Sequence, residues 1–156
     1  MIGINTAIYT PSGTSAGVGF AVPVDTIRRV VPDLLTLGYY RHPWLGVQSG
    51  YALSPRLSEL LGLSSAEGVL IVQLQEGSPL AQAGALGAQR QGFLGNQRVF
   101  LGGDILVAVN GWKVDSLGDL DAHLDNTYQI GDQVVVSLMR DGSPLELTVT
   151  LGEEPR

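Results

Sequence analysis

Cysteine is absent from the chain, which excludes disulfides and thiolate chemistry and leaves the compartment open. Histidine is nearly absent: His42 and His123 are the only two, with no second histidine at ligand spacing from either, so no metal or other cofactor is expected. Positive charge is scarce too. Nine Lys and Arg stand against fifteen Asp and Glu, for a net charge of −6, and the basic residues are scattered, which argues against a nucleic-acid partner. No apolar run approaches the roughly 20 residues that cross a bilayer. The first residues, Met1-Ile2-Gly3-Ile4-Asn5, carry no basic segment of the kind that opens a signal peptide.

What is present is a chain of 156 residues with 44% apolar residues, enough for one ordinary domain, or a small domain plus part of another, with a sizeable core. Residues 1–9 and 17–22 read as two β-branched strands around the turn chemistry of Thr10-Pro11-Ser12-Gly13-Thr14-Ser15, hence a hairpin. Asp25 is placed as the N-cap of a following helix that Pro32 kinks or restarts and Gly38 ends. The stretch Gly13-Thr14-Ser15-Ala16-Gly17-Val18-Gly19 resembles a phosphate loop only superficially. It lacks the Gly-Lys-Ser/Thr ending and opens no helix, so nucleotide binding is rejected. A chain that starts inside an apolar strand is read as an incomplete first domain.

The second part turns on Arg41-His42-Pro43-Trp44-Leu45-Gly46-Val47. Pro43 sets an extended approach, and Gly46 leaves the backbone open, so consecutive N–H groups can face an anion. Beside a groove, that anion would be the terminal carboxylate of a peptide adding itself as a strand. Ser54-Pro55 and Ser78-Pro79 each open a short helix. Gly68–Leu74 and Gly103–Val109 are strands, and Asn110-Gly111 is a hairpin turn. Ser116 caps a helix over 117–126 with Leu117, Leu120 and Leu124 on one stripe. Residues 134–139 and 145–151 pair across Asp141-Gly142. Residues 85–101 show no clean period and are read as an insertion loop.

Three stretches, in order, resemble a PDZ domain: Trp44-Leu45-Gly46-Val47, Gly77-Ser78-Pro79-Leu80-Ala81-Gln82-Ala83-Gly84 and Gly103-Asp104-Ile105-Leu106-Val107-Ala108-Val109-Asn110-Gly111. Ahead of them, Ile2-Gly3-Ile4-Asn5-Thr6-Ala7-Ile8, Gly17-Val18-Gly19-Phe20-Ala21-Val22-Pro23-Val24 and a helix give the order found in HtrA/Deg serine proteases. The resemblance implies a mainly β fold with short helices. Residues 1–38 would be the last hairpin and helix of a trypsin-like β-barrel domain, 39–43 a linker, and 44–152 the PDZ domain, a partly open barrel with two helices.

The same resemblance implies a serine endopeptidase of protein quality control, in the bacterial periplasm or cell envelope, acting on unfolded proteins. Its Gly-Asn-Ser-Gly-Gly nucleophile stretch and its triad His and Asp have no counterpart in this sequence, and neither histidine here sits beside a serine with an elbow or turn signature. The chain alone is therefore expected to be inactive as a hydrolase. Its own activity would be recognition of apolar peptide C-termini. Leu45, Gly46 and Val47 would hold the carboxylate with Arg41 adding attraction, and Leu120, His123 and Leu124 would line the groove. Asn5, Thr6, Ala7 and Gly19 would be what remains of a specificity-pocket wall. Asp119, Asp121 and Asp125 are read as a solvated helix face. A stand-alone peptide-binding adaptor, and a longer product whose frame begins upstream of Met1, are the competing readings.

Overall fold

The computed structural model describes residues 2–9, 18–63 and 67–155, in two compact units, Met1–Arg41 and His42–Arg156. In the first, β1 (Gly3–Tyr9) pairs antiparallel with β2 (Val18–Pro23), with a bulge between Asn5 and Ala7. The loop that joins them, which carries the Thr10–Ser15 turn and most of the phosphate-loop-like stretch, lies outside the described residues.

Helix α1 (Val24–Leu37) starts two residues earlier than an N-cap at Asp25 requires. Pro23 occupies the cap in an extended conformation (φ −61°, ψ 148°), and Asp25 lies in the first turn, where its charge favours the helix dipole instead. The helix also runs unbroken through Pro32 to Gly38, whose φ of 80° and N–H bond to the Leu34 carbonyl (3.2 Å) end it. No α1 residue is buried, and Leu35 is 80% exposed. Asp33 is tied to Arg41, which donates through Nε (3.1 Å), Nη2 (2.9 Å) and its backbone N–H (3.3 Å).

In the second unit the elements run β3 (Pro43–Trp44), β4 (Val47–Ala52), α2 (Pro55–Leu61), β5 (Val69–Leu74), α3 (Pro79–Gln82), β6 (Arg90–Leu94), β7 (Gln97–Leu101) and β8 (Ile105–Val109), then β9 (Trp112–Lys113), α4 (Leu117–Thr127), β10 (Gln133–Arg140), β11 (Ser143–Thr150) and β12 (Gly152–Glu153). The main sheet has the order β11-β10-β8-β5-β4, with β9 hydrogen-bonded to β8, while β3 pairs with β12. Both expected tight turns carry two left-handed residues, Asn110 (φ 47°) with Gly111 (80°), and Asp141 (47°) with Gly142 (82°), as turns that match strand twist require. The Asn110 side chain also accepts from the Val135 N–H (2.8 Å) and donates to the Tyr128 hydroxyl (3.0 Å).

The core is built from Leu45, Val69, Ile71, Leu80, Leu106, Val109, Leu120, Leu124, Val136, Leu138, Val149 and Leu151, among others. The first half of β5, Val69-Leu70-Ile71, is buried throughout and so reads as a continuous apolar run, which Gln73 breaks toward the exposed end. Residues 85–101 are not simply a loop: β6 and β7 form an antiparallel hairpin, Gln91 opposite Phe100 and Phe93 opposite Arg98. An apolar residue faces a polar one across the ladder, so neither strand shows the one-sided apolar alternation that marks a half-buried strand. Asp104 anchors the base of this hairpin. It is 1% exposed, accepts from Arg140 through both carboxylate oxygens (2.7 Å each), and also accepts from the Leu86 N–H (2.8 Å).

Candidate functional site: a backbone corner beside an edge strand

Between β3 and β4 the chain turns a tight corner. Leu45 is 1% exposed and fixed in the core, and Gly46 is buried with φ of 101°. That conformation disfavours any L side chain. A Cβ at Gly46 would also overlap Cβ and Oγ of Ser78, the residue that caps α3 by accepting from the Ala81 N–H (3.4 Å). The Leu45 carbonyl accepts from the Leu80 N–H (3.0 Å), and the Gly46 carbonyl from the Gln75 N–H (2.9 Å). A trans peptide points its N–H opposite to its C=O. The N–H groups of Gly46 and Val47 are therefore directed away from α3 and the Gln75 turn, side by side.

The strand that leaves the corner is the edge of the sheet. β4 bonds to β5 on one side and ends the strand order on the other. Helix α4 packs against both β3 and β4. Ser116 caps it, accepting from the Asp119 N–H (3.1 Å) and donating to the Asp119 carboxylate (2.7 Å). At the start of α4, a Cβ on Gly50 would touch Leu117 Cδ1 at 3.7 Å. Near its end, Asp125 meets His42 Nδ1 at 3.0 Å, one residue before β3. The helix thus runs antiparallel to β4. From Leu117 to Asp125 it covers about 12 Å, the length of about four extended residues.

Leu120 and Leu124 lie beneath this space, 1% and 0% exposed, as part of the core. His123 lies on the Trp112 side of the helix, stacked on that ring at 4.0 Å with 7° between planes and edge-on to Tyr128. Arg41 belongs to the other compact unit, where Asp33 engages it. The β1–β2 hairpin brings Asn5, Thr6 and Ala7 together with Gly19, which pairs with Ile8; Thr6 Oγ1 donates to the Phe20 carbonyl (3.3 Å).

Two residues at the groove carry no motif in the sequence. Leu117 was one of three stripe leucines, and only the Gly50 contact distinguishes it. Asp121, about one turn before Asp125, is exposed; desolvation, then the Glu154 and Asp125 charges, push its pKa above 3.8, against the opposing effect of His42.

The PDZ domain family matches residues 43–151. Over essentially its whole length the chain is also similar to serine proteases. It is 40% identical over 156 residues to Protease Do-like 1, chloroplastic, of Arabidopsis thaliana, covering 99% of this chain and 33% of the relative. It is 32% identical over 155 residues to a probable periplasmic serine endoprotease DegP-like of Bartonella henselae, covering 99% of this chain and 27% of the relative. The chain therefore spans about a third or less of the curated relatives it matches. Among solved structures, the HtrA-type protease AlgW with decapeptide aligns with TM-score 0.62 and 28% identity, over 100% of this chain and 43% of that one. A match that includes residues 1–41 speaks against a stand-alone adaptor. The chain belongs to the PDZ domain family, in the form carried by HtrA/Deg-type serine proteases.

Proposed function

We propose that the second unit captures the free C-terminus of an extended polypeptide by adding it as a strand to β4, carboxylate at the corner and alternate side chains against α4. The observation that carries this reading is the pair of outward N–H groups at Gly46 and Val47, at the head of an edge strand that faces a helix. Charge-assisted bonds to such donors contribute about 1.5–3 kcal/mol each. Leu45, Gly46 and Val47 supply the carboxylate site. Arg41 already has Asp33, so its part is long-range attraction. Leu120 and Leu124 form the apolar floor, and His123 supports the helix through Trp112. An apolar last residue suits that floor. Affinity in the micromolar range, about −8 kcal/mol, is the reading's expectation, and AlgW, solved with a decapeptide, is consistent with it.

The parent activity that fits this module is serine endopeptidase action, which the relatives' names state for them, with unfolded proteins as the substrates we infer. In that setting residues 1–38 close a trypsin-like domain, with Asn5, Thr6, Ala7 and Gly19 on its specificity-pocket wall, and 39–43 link it to the PDZ domain at 44–152. The bacterial relatives are named periplasmic, and the periplasm or cell envelope is the compartment that goes with this reading. The test is fluorescence anisotropy of a labelled decapeptide ending in Val, against the same peptide amidated at its terminus. Binding of the free acid alone supports the corner; equal binding of both sinks it.

A further inference from the structure

The β6–β7 hairpin stands on the other side of the same edge strand. Its base is bonded to β5, the Ala88 N–H donating to the Val72 carbonyl (2.9 Å). A cavity of about 340 Å³ separates it from the sheet, lined by Ser49, Gln73, Gln89, Gln91 and Phe100 among others. This is the size of the smallest ligand pockets, roughly 300–1,000 Å³, and suits one side chain rather than a whole ligand. The lining runs from β5 at the hairpin base to β4 at Ser49, so the hairpin crosses the sheet toward its free edge. Gln91 and Phe100 are opposite each other in the ladder and share one face. The next pair on that face, Phe93 and Arg98, lies about 6.8 Å further out, more than the roughly 4.8 Å to an added strand. Phe93 is 75% exposed.

We propose that this hairpin is a second wall of the peptide site, and that it seats an aromatic side chain at the penultimate position of the bound C-terminus. The proposal rests on the strand-addition reading above. Side chains of an added strand alternate between faces. The last one and the third from the end point to the α4 side, where Val47 packs into the core and Gly50 meets Leu117. The register breaks between Val47 and Ser49 and again between Ser49 and Gly50, so Gln48 is extra on β4 and Val72 on β5, and Ser49 takes the ligand's next position between Val47 and Gly50. That penultimate side chain points away from α4, into the space between Ser49, Phe100 and Phe93. The half-buried Phe100 ring and Arg90 line the cavity itself, and the exposed Phe93 stands one pair further out on the same face of the hairpin; rings with an arginine beside them favour an aromatic group, through ring–ring and cation–π contact.

The test is an anisotropy series on the full chain with decapeptides ending in Val, carrying Phe or Ser at the penultimate, third-last or fourth-last position, against the parent and Phe93→Ala. Phe93 is on the surface, so the variant folds. Penultimate Phe should tighten Kd roughly three- to tenfold over Ser in the parent and less than about twofold in Phe93→Ala, with the third-last comparison unchanged by the variant. Amide chemical shifts of residues 90–101 should move with the penultimate-Phe peptide and not with the penultimate-Ser one. If the peptides bind but the penultimate preference is missing or survives Phe93→Ala, the hairpin is no wall of the site and strand addition stands. If no free-acid peptide binds, both readings fall.

Discussion

Gly46→Ala should damage both stability and recognition, by an amount that can be divided into two causes. The first is backbone strain: at φ of 101° an L side chain costs about 1–2 kcal/mol. The second is steric, because the new Cβ would overlap Ser78 Cβ and Oγ, and inserting a methyl into a packed site costs about 1–3 kcal/mol. Together they predict a loss of about 2–5 kcal/mol, read from urea midpoints at constant slope. Ser78→Gly separates the two. Alone it should cost a few tenths of a kcal/mol, as Gly replaces Ser at an N-cap. In the Gly46→Ala background it should restore about 1–3 kcal/mol and leave the strain. Peptide affinity should fall with Gly46→Ala and recover only partly in the double variant, since the Gly46 and Val47 N–H directions depend on the same φ. A Gly46→Ala protein within about 0.5 kcal/mol of the parent, with unchanged Kd, would refute the tight corner. Failure of Ser78→Gly to recover stability would refute the steric share.

Arg140→Leu should leave the Asp104 carboxylate buried without its cation and cost about 3–5 kcal/mol, whereas Asp104→Leu combined with Arg140→Leu should cost less than the single change; urea denaturation of the pair of variants checks the order. Asp121→Asn should stabilise the fold at pH 7, because a carboxyl whose pKa lies above 3.8 in the folded state opposes folding when ionised, and that penalty fades as pH falls through the folded pKa toward the unfolded value. Urea midpoints of parent and variant should therefore differ at pH 7 and converge near pH 4. The same variant should raise affinity for a peptide carboxylate at pH 7.

Elements whose signals are local were legible in the sequence. Ser54-Pro55, Ser78-Pro79 and Ser116 open α2, α3 and α4, and each serine accepts from an N–H three residues on. Asn110-Gly111 and Asp141-Gly142 fix two hairpins because left-handed backbone at both positions selects those residues. The corner was legible for a similar reason: only glycine takes the conformation that Gly46 has. What escaped depends on contacts between distant residues. The β6–β7 hairpin is held by Asp104, whose partner Arg140 is 36 positions away. Gly50 matters because a Cβ there would run into Val69 and the Leu70 carbonyl, with Leu117 alongside. Asp121 reads as one of three helix acids until His42 and Glu154 are placed beside it. At α1 the cap was misplaced because Asp25 is a strong local cap signal, whereas Pro23 fills the N-cap and Asp25 falls in the first turn.

On the proposed reading the corner would grip any polypeptide end, because its donors are backbone groups whose carbonyls are held by other backbone groups. Leu80 and Gln75 take the carbonyls of Leu45 and Gly46, and Ser78 stands behind the glycine, so the donors are aimed before a ligand arrives and little ordering cost remains on binding. Such a device distinguishes an end from a middle but not one sequence from another. Discrimination must come from the side chains on either face of the added strand. On one face α4 offers Leu117 and the leucine floor, with Asp121 opposing negative charge. The other face of an ordinary edge strand would be bare, and a ligand's alternate residues would go unread. A hairpin that crosses the sheet to Ser49 with two phenylalanines on one face gives that second face something to read, which is why its contribution should appear at alternate ligand positions and nowhere else.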